Sequence, residues 1–315
     1  MSRISNKKSG VQQISIDSGD ESRRIDNFLM SRFKGLPRTR IYQMLRRGEV
    51  RVNKGRKKPG YRLQVGDVLR IPPVSVAEQA SPGTPPAYLV DRLSDAVIFE
   101  NEELLAINKP AGIVVHSGSG RSFGVIEILR YLRPMDEELQ LVHRIDQATS
   151  GCLLLSKTSQ GLRSLHAAMK SGALEKKYIA LLAGKLDSNS VKVDLALRKN
   201  NLNSGERVVR PDADGKNAET IFTLRQSFTD TSLVDVNIIT GRTHQIRVHA
   251  QAIGHPVLGD DKYGDKLLNR EMKKAGLGRL FLHAFELHLP EYRGKGLNIQ
   301  APLSRELAEF LKTHV

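Results

Sequence analysis

Asp146 is the residue in this chain best placed to do chemistry. It lies in "LVHRIDQATSG" (Leu141–Gly151), between the basic pair His143 and Arg144 and a small polar run, Thr149, Ser150 and Gly151. Tyr178 follows in "KKYIALL", and "GRTHQIRVH" supplies Arg242 and Arg247. A carboxylate can attack carbon or take a proton, provided that it is ionised, and a nearby guanidinium favours the ionised form. Taken singly, each residue has an ordinary explanation. An Asp beside an Arg usually makes a solvated ion pair, and a Tyr on a strand usually packs in a core. Their joint occurrence, in this order, points to a reactive carboxylate.

Other chemistries find less support. His244 and His249 are five residues apart, a spacing that does not bring two imidazoles onto one helix face, and there is no HExxH pair. The Gly-rich "GSGRSFG" (118–124) lacks the Gly-Lys-Ser/Thr ending of a phosphate loop, and is expected to form a rim of the site. No Gly-x-Ser-x-Gly elbow is present. The single cysteine, Cys152, stands in the apolar "SGCLLLSK" and reads as a small buried residue. One cysteine forms no internal disulfide, so cytoplasm is the default compartment. No apolar run reaches the about 18 residues of a membrane span.

Several elements must position these groups. "CLLLSK" reads as a buried strand after the Asp146 loop, "SQGLRSLHAAMKSG" as a helix with Leu162, Leu165 and Met169 on one face, and "EKKYIALLAG" as the strand carrying Tyr178. "TSLVDVNIIT" is a further strand. After it, Ile246, His249, Ala250 and Ile253 have helical spacing, with Thr243 as cap and Gly254 as stop. "AVIFENEELLAINKPAGIVVHSGSG" reads as three strands separated by turns. Runs of strands with a few helices interposed predict an α+β domain with a mixed, mainly antiparallel sheet flanked by helices.

Charge divides the 315 residues unevenly. Residues 1–75 hold 18 Lys and Arg against 6 Asp and Glu, whereas the remaining 240 hold 31 against 28, so most of the net +15 lies at the N-terminus. That asymmetry predicts a polyanion-binding N-terminal part. It does not suggest a membrane surface, since no Trp/Phe/Leu-rich insertion face accompanies the charge. The spacing of Ile25, Phe28, Leu29 and Phe33 predicts one helix, and Thr39 to Gly48 a second. "EVRVNKGRKK" predicts a strand turning at Asn53–Gly55, and "YRLQVGDVLRIP" two short strands about Gly66–Asp67. We expect a disordered tail over 1–13, this basic domain over 14–73, a Pro-rich linker over 74–94 and the second domain over 95–315.

The N-terminal block resembles the S4 RNA-binding domain through Arg24-Ile25-Asp26 with Leu29, then "LRRGEVRVN", then "VGD". The resemblance implies that Arg38, Arg40, Arg46, Arg47, Lys54, Arg56, Lys57 and Lys58 face RNA. From residue 96 onward "HRIDQATSG", "KKYIALL" and "GRTHQIRVH", with Asn108-Lys109-Pro110-x-Gly112 and His116, resemble the pseudouridine synthases that modify ribosomal and transfer RNA. The family pattern has Leu in place of Ile145, and often a charged residue in place of Gln147; neither change touches a reactive group.

The resemblance implies an isomerisation in which uracil leaves ribose C1′ through N1 and rejoins through C5. Nothing is gained or lost, so no cofactor and no metal are expected. Asp146 would attack C1′ or C6, or act as a base on the ribose. Arg247, with Arg242 second, would pair with it. Tyr178 would stack on the flipped uracil and help remove the C5 proton. Arg144 would fill the vacated stack or bind phosphate, Ile246 would wall the pocket, and His143 and Thr149 would complete the substrate contacts. The implied partner is ribosomal RNA of the large subunit (23S) acted on by a monomer, with transfer RNA as a variant and a non-catalytic RNA-binding factor as the alternative.

Overall fold

The computed structural model describes residues 10–33, 35–74, 83–117, 123–201 and 207–314. It divides into two compact units, 1–84 and 85–315.

In the first unit, β1 (Gln12–Ser15), α1 (Ile25–Arg32), α2 (Arg38–Arg47), β2 (Arg51–Val52) and β3 (Val68–Ile71) enclose a core of Ile25, Leu29, Ile41, Met44 and Leu69. The three strands are antiparallel in the order β1-β3-β2. The stretch expected to be a tail to residue 13 therefore enters the sheet at Gln12, since β3 offers it an unpaired edge; residues 1–9 lie outside the described residues. Helix α2 starts one residue before the expected cap Thr39, because Pro37 stands at its N-cap with φ −56°. A missing N–H costs nothing at a helix start. Gly48 ends α2 at φ 68°, and the Arg56 side chain crosses where a Cβ would stand. Asn53 and Lys54 take positive φ in the expected turn. Of the two strands expected about Gly66, only β3 forms; the first is reduced to an isolated bridge between Arg62 and Arg24.

The second unit begins with a helix, α3 (Ala87–Ser94), within the stretch read as linker. Leu93 on α3 is fully buried, and burying it outweighs the local Pro content. Residues 75–82 of that linker, and 118–122 of the Gly-rich rim, lie outside the described residues. There follow β4 (Val97–Glu100), β5 (Leu104–Lys109), α4 (Val125–Leu132), β6 (Gln140–Leu141), β7 (Ser150–Ser156), α5 (Ser159–Ser171), β8 (Glu175–Ala183), β9 (Ser190–Asp194), β10 (Leu197–Asn201), β11 (Arg207–Pro211), β12 (Glu219–Ser227), β13 (Thr231–Ile238), α6 (Gln245–Ala252), α7 (Lys266–Lys274), β14 (Leu282–Tyr292), β15 (Lys295–Gln300) and α8 (Arg305–His314). Among the described residues the third strand expected after Lys109 does not form. Instead the carbonyls of Val114 and Val115 accept from Val125 and Ile126, closing the first turn of α4.

One sheet runs β4-β5-β7-β14-β8-β13-β12-β9, with β15 on β14 and β6 on β7. Among the described residues only the β7–β14 pairing is parallel, so the sheet is mixed and mainly antiparallel, and the chain is α+β. β10 and β11 form a separate hairpin. Along β8 successive side chains serve different cores. Tyr178, Ala180 and Leu182 join the larger cluster with β5, β7 and α4, while Ile179, Leu181 and Ala183 pack with Phe281, Leu307 and Phe310. This period-2 alternation is what commits Tyr178 to one face. α5 is capped by the Thr158 side chain, which accepts from Gly161 N at 3.0 Å, and ends at Gly172 with φ 81°.

Candidate active site

The loop that carries Asp146 is held by four residues. His143 is buried, and its Nε2 accepts a hydrogen bond from Leu154 N at 3.1 Å. Burial drives its pKa down to about 3, so the ring is neutral. Thr149 is buried and its N–H donates to the Asp146 carbonyl at 3.2 Å. Gly151 has φ 110°, and a Cβ there would run into the Ala284 backbone. Only glycine lets β7 approach β14 this closely.

The fourth support is Lys109, the lysine of the "NKPAG" segment. Its side chain is fully buried. Nζ donates to the carbonyls of Pro110 (2.9 Å), Ile113 (3.0 Å) and Gln147 (3.3 Å). Burial, and the nearby Arg279 charge, pull its pKa down to about 7, against the attraction of Asp146. The three carbonyls favour the charged form, because together they take all three N–H bonds of an ammonium. Gln147 adds a reciprocal pair with Gly112, N to O at 2.8 Å and Nε2 to O at 2.9 Å. Lys109 and Gln147 thus clamp the residue after Asp146 to the "NKPAG" turn.

α6 brings the guanidinium. Its N-terminus is not capped by Thr243. His244 stands at the N-cap in the left-handed region, φ 54°. The Gln245 side chain secures the start: Oε1 accepts from Arg242 N at 3.0 Å and from Thr240 Oγ1 at 2.7 Å, and Nε2 donates to Glu219 O at 2.8 Å. Gly254 takes φ 79° just past the helix end. Arg247, nearly buried, makes a two-point ion pair with the buried Asp260, Nε to Oδ2 at 2.7 Å and Nη2 to Oδ1 at 2.6 Å. Its remaining nitrogen, Nη1, lies 3.8 Å from Asp146 Oδ2. Burial opposes the charge on Arg247, but the hydrogen bonds and charge of Asp260, with the charge of Asp146, outweigh it and hold its pKa above the ordinary value.

The Arg247 guanidinium also lies 5.0 Å from the centre of the Tyr263 ring. The Tyr263 hydroxyl accepts from Val209 N at 3.0 Å and stands 2.7 Å from His244 Nδ1. Burial lowers the His244 pKa, against the pull of Asp146.

One cavity of about 390 Å³ is lined by all eight residues expected of this domain: His143, Arg144, Asp146, Thr149, Tyr178, Arg242, Ile246 and Arg247. Its size suits a single small ligand or nucleotide. They do not stand equally. Arg242 is exposed, and its Nε donates to Asn217 O at 3.0 Å, so Arg247 alone of the two arginines pairs with Asp146. His143 holds the fold more than it offers a contact. Arg144 is exposed, with no ion pair among the described residues. Tyr178 is buried, and burial, with the charge of Asp146, pushes its pKa up. Sequence reading missed Asp260, Tyr263, His244 and Lys176 as members of this site. Lys176 had a usable signal: it stands two residues before Tyr178 and so on the same face of β8. Asp260, in "LGDDKYGD", had none. Cys152 is buried, its pKa pushed up by burial to about 12, which leaves it unreactive. Among the described residues no group of three His, Cys, Asp or Glu could hold a metal ion, and no helix is long and apolar enough to cross a membrane.

In the first unit Arg38, Arg46, Arg47, Lys54, Arg56 and Lys58 are exposed. Arg40 is not free, since it pairs with Glu49 at 2.7 Å. Lys57 lies 4.4 Å from the centre of the Tyr61 ring.

Comparison with known proteins places these features in a family. Residues 103–252 match the family model described as RNA pseudouridylate synthase, and residues 23–69 match that of the S4 domain. "Ribosomal large subunit pseudouridine synthase C" of Pasteurella multocida is 48% identical over 303 residues, covering 96% of this chain and 93% of that protein. The protein of the same name from Escherichia coli is 46% identical over 306 residues, covering 96% of each. Among solved structures, human RNA pseudouridylate synthase domain containing 4 superposes with a TM-score of 0.60 at 27% identity, covering 72% of this chain and 95% of that one.

Proposed function

The chain belongs to the RNA pseudouridylate synthase family of isomerases, and we propose that it converts specific uridines of large-subunit (23S) ribosomal RNA to pseudouridine in the cytoplasm. The observation that carries this reading is the approach of Arg247 to Asp146 within a nucleotide-sized cavity. The names of the relatives, at 46–48% identity over nearly the whole chain, support the choice of RNA.

In this reading the target uridine flips out of its stack, at a cost of a few kcal/mol, and enters the cavity. Arg247 faces the Asp146 carboxylate from the wall of the cavity and aims it inward. The carboxylate drives cleavage of the bond between N1 and C1′. The base turns, C5 bonds to C1′, and the C5 proton is lost while N1 gains one, so the product is an isomer. Tyr178 holds the base by stacking. A phenol this hard to ionise is a poor acceptor for the C5 proton, so the stacking role is the one we assign it. Arg144, exposed at the cavity mouth, takes the place of the flipped base or binds phosphate. The exposed arginines and lysines of the S4 unit hold the RNA by its phosphates. The enzyme acts as a monomer in this reading.

The test incubates the wild type and Asp146→Asn with ribosomal RNA and maps pseudouridine by adduct-dependent primer-extension stops. Stops are expected with wild type alone. Equal stops from the variant would remove Asp146 from the mechanism, and none from either would favour a non-catalytic RNA-binding factor.

A further inference from the structure

A second cavity, of about 500 Å³, opens on the other side of the segment Gly241-Arg242-Thr243, which lines both cavities. Its other walls are the β10–β11 hairpin and the turn after it, including Arg198, Lys199, Asp214 and Lys216.

This cavity is built rather than incidental. The hairpin is tied to the active site through Val209, whose N–H donates to the Tyr263 hydroxyl that also meets His244. The turn is folded flat onto β10. Lys216 and Leu197 exchange two backbone hydrogen bonds of 2.9 Å, and a Cβ at Gly215 would come within 2.6–2.8 Å of the Leu197 and Asp212 backbone. A larger residue would lift Lys216 off the hairpin.

Its charge is also unusual for this part of the chain. Residues 76–315 are nearly balanced, 31 basic against 28 acidic, yet four cationic side chains line the cavity against one acid, Asp214. Arg198 is paired with Asp212 at 3.0 Å. Lys199 and Lys216 are exposed and have no ion pair among the described residues. Arg242 has its Nε engaged by Asn217, leaving its two terminal nitrogens to a ligand. The joint between the cavities is bare at Gly241, where a Cβ would meet only Lys176 Nζ, at 3.7 Å.

We propose that this second cavity binds the phosphodiester backbone of the RNA on one side of the flipped uridine, the strand passing over Gly241 from one cavity to the other. The proposal rests on the RNA-modifying reading above. It assigns Lys199 and Lys216 as phosphate ligands, which fix register without reading sequence.

The experiment measures the salt dependence of ribosomal RNA binding and the single-turnover rate at saturating RNA, for wild type and Lys199→Ala/Lys216→Ala. Leaving two single-stranded phosphates without a cation should lower the log–log salt slope by about 1.4. The Kd should rise about tenfold at physiological salt, with the saturated rate within about twofold of wild type. Lys273→Ala/Lys274→Ala, at the exposed end of α7, removes the same charge elsewhere and should bind as wild type does. A wild-type slope for Lys199→Ala/Lys216→Ala overturns the proposal, as does an equal weakening in the α7 variant, which would mean that net charge alone is responsible. Absence of pseudouridine from the wild-type reaction would instead count against the functional reading.

Discussion

Arg247 is held by Asp260 at two of its nitrogens and presents the third to Asp146 at 3.8 Å. The short, two-point contact is with Asp260, and the longer single contact is with Asp146. The guanidinium is therefore held in place by Asp260 independently of Asp146.

Arg247→Ala should cut turnover at least a hundredfold, in line with losing an electrostatic partner in a partly buried site, while RNA affinity changes less than about threefold. Single-turnover rates beside filter-binding constants decide this. Equal losses in both would make Arg247 an RNA-binding residue.

Asp260→Ala leaves Arg247 buried without its partner. Breaking one side of a buried pair costs about 3–5 kcal/mol, so urea unfolding should show a loss of that order. The freed guanidinium can also swing, and turnover should fall even at temperatures where the variant remains folded.

Tyr263→Phe keeps the ring beneath Arg247 but removes the hydroxyl between Val209 N and His244 Nδ1. An unpaired buried backbone donor costs about 1–3 kcal/mol. Hydrogen exchange at Val209 should rise, and turnover should fall through His244, with Arg247 still in place.

A pH effect on stability comes from His283, which contacts Ser150 at the start of β7. Nε2 meets the Ala301 carbonyl at 3.0 Å and so carries the ring proton, leaving Nδ1 to accept from Ser150 Oγ at 2.9 Å. Arg279 donates to the same Oγ at 2.7 Å. Burial drives the His283 pKa from 6.5 to about 4. Between these values the unfolded chain binds the proton and the folded one does not, so stability is full above the unfolded pKa and declines as pH falls toward 4. Wild type should lose about 2 kcal/mol more than His283→Gln between pH 7 and pH 5, read by urea titrations at both. The same loss in both proteins would contradict the assignment.

Removing residues 1–73 takes away most of the chain's excess positive charge. The salt dependence of RNA binding should flatten by roughly 0.7–0.9 for each phosphate that the S4 unit neutralises. An unchanged slope would show that the S4 unit does not hold the RNA.

By itself the sequence determined the α+β class, the basic N-terminal unit and most of the helices and strands that frame the site, and it singled out Asp146, Tyr178 and the two arginines Arg242 and Arg247 as candidates. These are legible because they rest on short-range regularities: alternation along β8, the spacing of Ile41, Met44 and Leu45 in α2, and motif residues close together in the chain. The cap on α6 was misread because Thr243 has the right chemistry for one, and only the packing of Gln245 against Glu219 and Thr220 excludes it. Asp260 and Tyr263 were invisible, since nothing in "LGDDKYGD" announces that its first Asp will be buried against a guanidinium. Only the tertiary structure decided between Arg242 and Arg247, inserted β14 between β7 and β8, and joined Lys109 to Gln147. Each of these pairings links segments far apart in sequence, and burial and hydrogen-bond satisfaction across the sheet fix them with no local pattern to betray it.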